Sequence, residues 1–407
     1  MTERTKNLTL FAVVLVILDL VAAQAYDRLL PLLEPAREPV RTLSPVYHHD
    51  LRKSLDSWSR WGRGYYRFRT NDLGFRDERV RSVPLCSEGL RLLLLGDSFT
   101  EGVGLAYPET FAGILSRELG PQGVEVLNAG VVSYSPTIYY RKTKYLIEEL
   151  GLHIDMLVVF IDSSDILDES WLDRHGRTRV VAGETENSPA ASLEVDDREG
   201  IRRRPPFEQF KHLLQQNSLI MKAAATLRNY LQEHFGERGN RARLALDHRG
   251  AAWDYDPQAY REYGEMGLRR AAAYMDSLLT LTRRHEIPMA VAVYPWPGQI
   301  FRRMLDSRQV TCWRAWSSQR GVPFFDLFPA FITGQDPEET IREYYVPHDV
   351  HWNAAGHRRV AEAVLDRGLR AFISETRTAA SGSRPSGSCG RSSSNRFPDP
   401  RVEPARR

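Results

Sequence analysis

Two stretches of this chain hold the residue types that nucleophilic catalysis needs. Gly96-Asp97-Ser98-Phe99-Thr100-Glu101-Gly102 follows an apolar tetrad, and His348-Asp349-Val350-His351-Trp352-Asn353 lies about 250 residues later. A serine hydroxyl is a poor nucleophile until a neighbouring base takes its proton. At a strand-to-helix turn Ser98 would expose its Oγ, and a backbone N–H of the turn can help hold an oxyanion. Glycines at 96 and 102 permit that turn to be tight. Helix capping is the competing role, since serine is a favoured N-cap. In the second stretch an imidazole has the basicity to relay a proton, and a carboxylate beside it can fix the tautomer. His348, Asp349, His351 and His357 are also potential metal ligands, but no matching Cys, His or carboxylate cluster accompanies them. His357 is expected to pack or hydrogen-bond within the last helix, which Asn353 would cap.

These residues act together only if the fold joins them. From Leu90 onward the pattern is α/β. Residues 92–95 read as a strand buried on both faces, a short apolar run ending at Gly96, and 124–127, 156–161, 289–294 and 324–326 read as the strands that follow. Helical patterns lie between them, around 108–119, 136–150, 258–285 and 354–371. Such alternation predicts a parallel sheet covered on both faces, whose strand C-terminal ends share one crevice. Residues 168–255 break the rhythm and read as an insertion, with a helical stretch near 207–234. Pro31, Pro35, Pro39 and Pro45 make residues 29 to about 60 a stalk rather than a helix, and Tyr65 to Asn71 alternate as a short strand. Beyond Glu375 the chain turns to Ser, Gly, Arg and Pro, too polar to offset its chain entropy, and disorder is expected. The expected organisation is therefore an N-terminal segment 1–28, a stalk and extension 29–89, a domain 90–375 and a tail 376–407.

Gly96-Asp97-Ser98 after the first strand, Asn128-Ala129-Gly130 after the second and Asp349–His351 before the last helix together resemble the SGNH/GDSL hydrolase superfamily. Thr70-Asn71 and Gly74-Phe75-Arg76-Asp77 look like the lead-in of its bacterial membrane-anchored members. The resemblance spans about residues 70–372 and implies a three-layer α/β/α, flavodoxin-like fold with ester or acyl-transfer chemistry. It implies Ser98 as nucleophile and first oxyanion donor, Gly130 as a second donor through its N–H, and Asp349 orienting His351 as general base. Two departures stand out. Asp162-Ser163-Ser164-Asp165 places Ser164 where the family has an oxyanion Asn. Asp349 and His351 are separated by one residue instead of two, and this Asp-x-His-Trp form is similar to that of polysaccharide O-acetylation proteins of the superfamily.

Targeting and composition set the context. Arg4 and Lys6 precede an apolar run from Leu8 to about Ala25, broken only by Asp19, which reads as a single-pass signal anchor. The alternative is a cleaved signal with Ala23-Gln24-Ala25 at its cleavage site. Either places the domain outside the bacterial inner membrane, on the periplasmic side. The net charge of +3, from 55 basic and 52 acidic side chains, gives no surplus for a nucleic-acid partner. Three scattered cysteines form neither a disulfide framework nor a zinc site, and no phosphate loop or other cofactor motif is present. Trp296, Trp313, Trp316 and Trp352 are candidates for a sugar-binding cleft, with a core role the competing reading for Trp313 and Trp316 at i,i+3 spacing. The expected function is an esterase acting on a small ester, lipid or acylated glycan. The alternatives are an O-acyltransferase on an envelope polysaccharide and a weakly active module that binds acylated glycan.

Overall fold

The computed structural model describes residues 2–33, 39–62, 64–87, 89–175 and 237–383, with scattered positions between 218 and 227. Helix α1 (Glu3–Leu33) is followed by two antiparallel hairpins, β1 (Arg41–Ser44) with β2 (His48–Leu51) and β3 (Asp56–Trp61) with β4 (Gly64–Arg69). Strands β5 (Leu90–Leu95), β6 (Val124–Asn128), β7 (Met156–Ile161), β8 (Met289–Val293) and β9 (Phe324–Asp326) then form one parallel sheet in the order β6-β5-β7-β8-β9. Every residue of β5, β7 and β8 is buried, as strands covered on both faces must be. Helices α2 (Ser98–Glu101), α3 (Phe111–Leu119), α4 (Pro136–Lys144) and α5 (Asp165–His175) follow β5, β6 and β7. Next come α6 (Glu237–Arg243), α7 (Arg249–Tyr255), α8 (Glu265–Arg284), α9 (Arg308–Arg320), α10 (Ala354–Val364) and α11 (Arg370–Ser383). Helix α3 packs with α10, and α8 with α4 and α5, which gives the three-layer α/β arrangement with the flavodoxin-like strand order.

Several expectations need correction. The stretch from 29 to about 60, expected as a stalk, instead holds the end of α1, the β1–β2 hairpin and β3, while the strand expected at 65–71 is β4. Arg76 N–H bonds the Asn128 carbonyl, so the lead-in covers the free edge of β6. Gly74, at φ +83, turns that lead-in, and a Cβ there would stand 2.8 Å from the Leu51 carbonyl. Two ion pairs with a buried partner complete the attachment: Arg41 to Glu101 at 2.7 Å and Asp50 to Lys142 at 2.8 Å. Removing one member of such a pair typically costs about 3–5 kcal/mol, because the other stays buried and uncompensated. The tail also begins later than expected, since α11 runs through Ser383. Most of the insertion, and the tail beyond Ser383, lie outside the described residues, but its end forms α6 and α7. Cys86 and Cys312 are free thiols.

The transmembrane segment expected at 1–28 finds no support. Among the described residues no helix is long and apolar enough to cross a membrane. Asp19 interrupts the apolar run, and its carboxylate accepts a bond from the Ile220 N–H.

Two imidazoles are sealed into this frame. Burial pushes His49 down to about 4, although its ring bonds the Val132 carbonyl at 2.7 Å. Burial likewise pushes His357 down to about 3, and its Nδ1 accepts the Phe111 N–H at 3.1 Å. Both would titrate near 6.5 in the unfolded chain, so the unfolded state takes up protons first as pH falls. Their contribution to stability is complete above about pH 6.5 and is lost toward the folded values. Denaturant unfolding should therefore show stability falling from about pH 6.5 down to 4. His49→Gln should flatten the upper part of that fall, and an unchanged slope would refute the assignment.

Candidate active site

The sheet ends where the chemistry begins. Strand β5 stops at Leu95, Gly96 turns the chain, and a Cβ at Gly96 would lie 2.0 Å from Thr100 Oγ1. Asp97 caps α2 by accepting the Phe99 N–H, so the capping role belongs to Asp97 and not to Ser98. Ser98 opens the helix at the C-terminal end of the sheet, beside the β5–β7 switch point of the topology. From the other side, the loop before α10 is pinned by Trp352, which is fully buried with its ring 4.6 Å from both Phe99 and Tyr294. Asn353 caps α10 through the Gly356 N–H, as expected.

The three expected catalytic side chains form one hydrogen-bonded series. His351 Nε2 lies 2.7 Å from Ser98 Oγ, and His351 Nδ1 lies 2.6 Å from Asp349 Oδ1. Burial alone would raise the Asp349 carboxyl. The charge of His351, with N–H bonds from the His351 ring, Trp61 and the His351 backbone, outweighs it and holds Asp349 well below the usual carboxylate range. An ionised Asp349 draws the imidazole proton to Nδ1, which leaves the Nε2 lone pair facing Ser98. Asp97 Oδ2 stands 3.1 Å from the same hydroxyl. Burial and the neighbouring Asp162 charge push the Asp97 carboxyl well above its ordinary value. Of the two groups that meet the Ser98 hydroxyl, His351 Nε2 is the nearer, at 2.7 Å.

The oxyanion side is arranged differently from the expectation. Gly130 N–H donates to Asn128 Oδ1 at 3.1 Å, and a Cβ on Gly130 would strike Thr100 of α2 at 2.6 Å. Gly130 is thus where the loop after β6 passes close under α2, the helix that Ser98 opens. Ser164 Oγ donates to Asp162 Oδ2 at 2.5 Å, and its N–H bonds the same oxygen at 2.9 Å. Asp162 Oδ1 in turn takes the Trp296 indole N–H at 2.5 Å. The Ser98 N–H lies in the first turn of α2, where helix amides have no intrahelical partner.

Two further residues reach this site without any signal in the sequence. Trp61, the last residue of β3, donates its indole N–H to Asp349 Oδ2 at 2.5 Å. His248 precedes α7 with its Nδ1 accepting the Gly250 N–H, so the ring's donor is Nε2. Its ring stands exposed against Trp296, and the protein around it and the charge of His351 hold it below its ordinary value. Only a hydrophobic pattern would have signalled β3, and Trp58–Trp61 at i,i+3 carries none of period two.

The remaining candidates separate. His357 sits in α10 and serves the Phe111 amide, apart from His348, whose own N–H bonds the Arg243 carbonyl. Among the described residues the one group of three potential metal ligands is Asp97, Asp162 and Asp165, all buried. Their oxygens accept bonds from Tyr294, Trp296, Ser164 and Tyr139. Trp296, Trp313, Trp316 and Trp352 are all buried, so none of them walls an open sugar cleft. A cavity of about 330 Å³ lined by Leu279, Met289, Val322 and Phe372 lies at the opposite, N-terminal end of the sheet.

No family model matches the chain, and no curated protein matches it. Among solved structures it is similar to the esterase EstA of a Pseudoalteromonas species, at 9% identity over 70% of this chain and 98% of that one, with a TM-score of 0.33. It is also similar to the acetylxylan esterase Axe2 of Geobacillus stearothermophilus, at 14% identity over 70% and 96%, with a TM-score of 0.35. A G-D-S-L family lipolytic protein of Veillonella parvula gives 12%, 69% and 99%, with a TM-score of 0.35. At these scores and identities the overlays establish neither family nor activity for this chain.

With its hydroxyl already bound to Asp162, Ser164 is expected to contribute little to rate. Ser164→Ala should lower ester turnover less than about ten-fold, whereas loss of a working oxyanion donor costs roughly 10²–10³. Steady-state kinetics on p-nitrophenyl acetate would decide between the two.

Proposed function

We propose that this chain is a serine hydrolase of the SGNH/GDSL type, cleaving carboxylic esters through an acyl-serine intermediate. The observation that carries the reading is the hydrogen-bonded series Ser98–His351–Asp349, with contacts of 2.7 and 2.6 Å. Ser98 Oγ attacks the ester carbonyl as its proton passes to His351 Nε2. The tetrahedral intermediate collapses, the C–O bond to the alcohol breaks, and His351 returns the proton to the departing oxygen. Water then repeats the sequence on the acyl-serine, with His351 again as base. Throughout, Asp349 remains ionised and stabilises the imidazolium.

In the full-length protein, Ser98 should be labelled by a fluorophosphonate and should support hydrolysis of p-nitrophenyl acetate. Ser98→Ala should abolish both, and Asp349→Asn should lower kcat about 10⁴-fold by favouring the wrong imidazole tautomer. Absence of Ser98-dependent labelling and turnover would refute the reading. An acetylated glycan acceptor recovered in place of free acid would redirect it to acyl transfer, with the same intermediate.

Placement at the bacterial cell envelope, with the domain on the periplasmic side, belongs to the same proposal. Its support is the apolar run after Arg4 and Lys6, together with the exposed side chains of Leu10, Phe11, Val14, Leu15, Ile17, Leu18 and Val21 on α1. In cells with a permeabilised outer membrane and an intact inner one, added protease should degrade the domain, and its protection there would overturn the placement.

A further inference from the structure

We propose that Trp61 is a positioning residue for the catalytic carboxylate, carried to the site by the N-terminal β3–β4 hairpin. The inference rests on the serine-hydrolase reading above. Trp61 closes β3 opposite Gly64, at the tip of the hairpin. Its indole N–H meets Asp349 Oδ2 at 2.5 Å, while Asp349 Oδ1 takes the His351 ring at 2.6 Å and the His351 backbone N–H at 3.1 Å. Each carboxylate oxygen therefore has its own donor, and the plane of the carboxylate is fixed from both sides. The indole also stands edge-on to the His351 ring, with centroids 4.9 Å apart and planes at 84°. One side chain thus restrains both the acid and the base.

The hairpin is held firmly enough for this task. Leu55 and Thr70 exchange backbone and hydroxyl bonds at its base. Arg76, whose N–H bonds the Asn128 carbonyl of β6, lies over the Phe68 ring of β4, and the neighbouring β1–β2 hairpin is fastened in turn by Arg41 to Glu101 of α2 and Asp50 to buried Lys142 of α4. The nucleophile loop also accommodates the ring, since a Cβ on Gly104 would lie 3.5 Å from the indole, at ordinary contact. An indole N–H donates only and does not titrate in the working range, so its bond to Asp349 is independent of pH. It withdraws some of the negative charge that Asp349 presents to the imidazolium.

Replacing Trp61 with benzothienylalanine tests this directly, because sulfur takes the place of the N–H while the ring keeps its shape. In the full-length protein, kcat on p-nitrophenyl acetate should fall about 10- to 100-fold, the value of one hydrogen bond to a charged group, with KM within about two-fold. The acid limb of the kcat profile should move to higher pH, because an undiluted Asp349 charge favours the imidazolium. Trp61→Phe should do the same, with an added loss of thermal stability. The low-field proton NMR signal of the His351 Nδ1–H should shift in the isosteric variant whether or not turnover is measured. Wild-type kcat, pH profile and proton signal in that variant would overturn the inference while leaving the hydrolase reading intact. A shifted proton signal in a protein that is never labelled at Ser98 would refute the hydrolase reading and keep Trp61 as the partner that positions Asp349.

Discussion

An imidazole can take a proton from serine only when its lone pair faces the hydroxyl, and the group bonded to its other nitrogen decides whether it does. Asp349 makes that decision for His351, and it must be ionised to do so. Ionisation of a largely buried carboxylate is costly unless N–H donors surround it. Here the donors come from the His351 ring, its backbone and the indole of Trp61. The first two lie in the loop before α10, but the third belongs to a hairpin 288 residues away in sequence. Attachment of the N-terminal hairpins to the α/β domain is therefore a condition of the tautomer. The Arg41–Glu101 and Asp50–Lys142 pairs fasten the preceding β1–β2 hairpin to the same domain.

A carboxyl on the other side of Ser98 is treated in the opposite way. Asp97 faces Asp162 and Asp165 in a fully buried group, and burial with mutual repulsion pushes Asp97 and Asp165 well above their ordinary values. Tyr294 and Tyr139 bond them, but neither brings a positive charge. The two carboxyls nearest the Ser98–His351 pair are thus shifted in opposite directions, and their neighbours explain why: N–H donors surround Asp349, whereas other carboxyls surround Asp97. The division has a direction. A charged Asp97 would compete for the serine proton and repel a developing oxyanion, whereas a neutral one does neither.

The sheet and the Ser98–His351–Asp349 series were readable because both leave local marks. Apolar runs of four to six residues marked β5, β7 and β8, and the Gly-Asp-Ser and Asp-x-His stretches sit where such strands deliver them. Trp61 left no such mark. Its role depends on a contact between distant segments, and Asp56-Ser57-Trp58-Ser59-Arg60-Trp61 lacks the apolar alternation that marks a strand. Tertiary attachment, through buried ion pairs and the Arg76–Asn128 bridge, overrode that local composition. The end of α11 was missed for a related reason: its Ser and Gly residues lower helix propensity, yet the helix continues from the packed turn around Leu369 and Phe372.

Around Gly130, expected to donate its N–H, and Ser164, expected to donate its hydroxyl, a short-range effect present in the sequence also acts. Each has an acidic or amide side chain two residues upstream, Asn128 and Asp162, and such side chains commonly capture the N–H two positions on. Both captures occur here, at 3.1 and 2.9 Å. Asn128 is itself held, because its Nδ2 donates to the Thr100 carbonyl at 2.7 Å, and Asp162 is held by Trp296. Neither acceptor can turn away without breaking a second bond. An ester carbonyl arriving at Ser98 must then offer more than Asn128 and Asp162 do before either donor transfers to it. The neutral ground-state carbonyl is a weaker acceptor than a carboxylate or an amide, while the tetrahedral oxyanion is a stronger one. Any help these two donors give is therefore confined to the transition state, which is where binding energy accelerates a reaction.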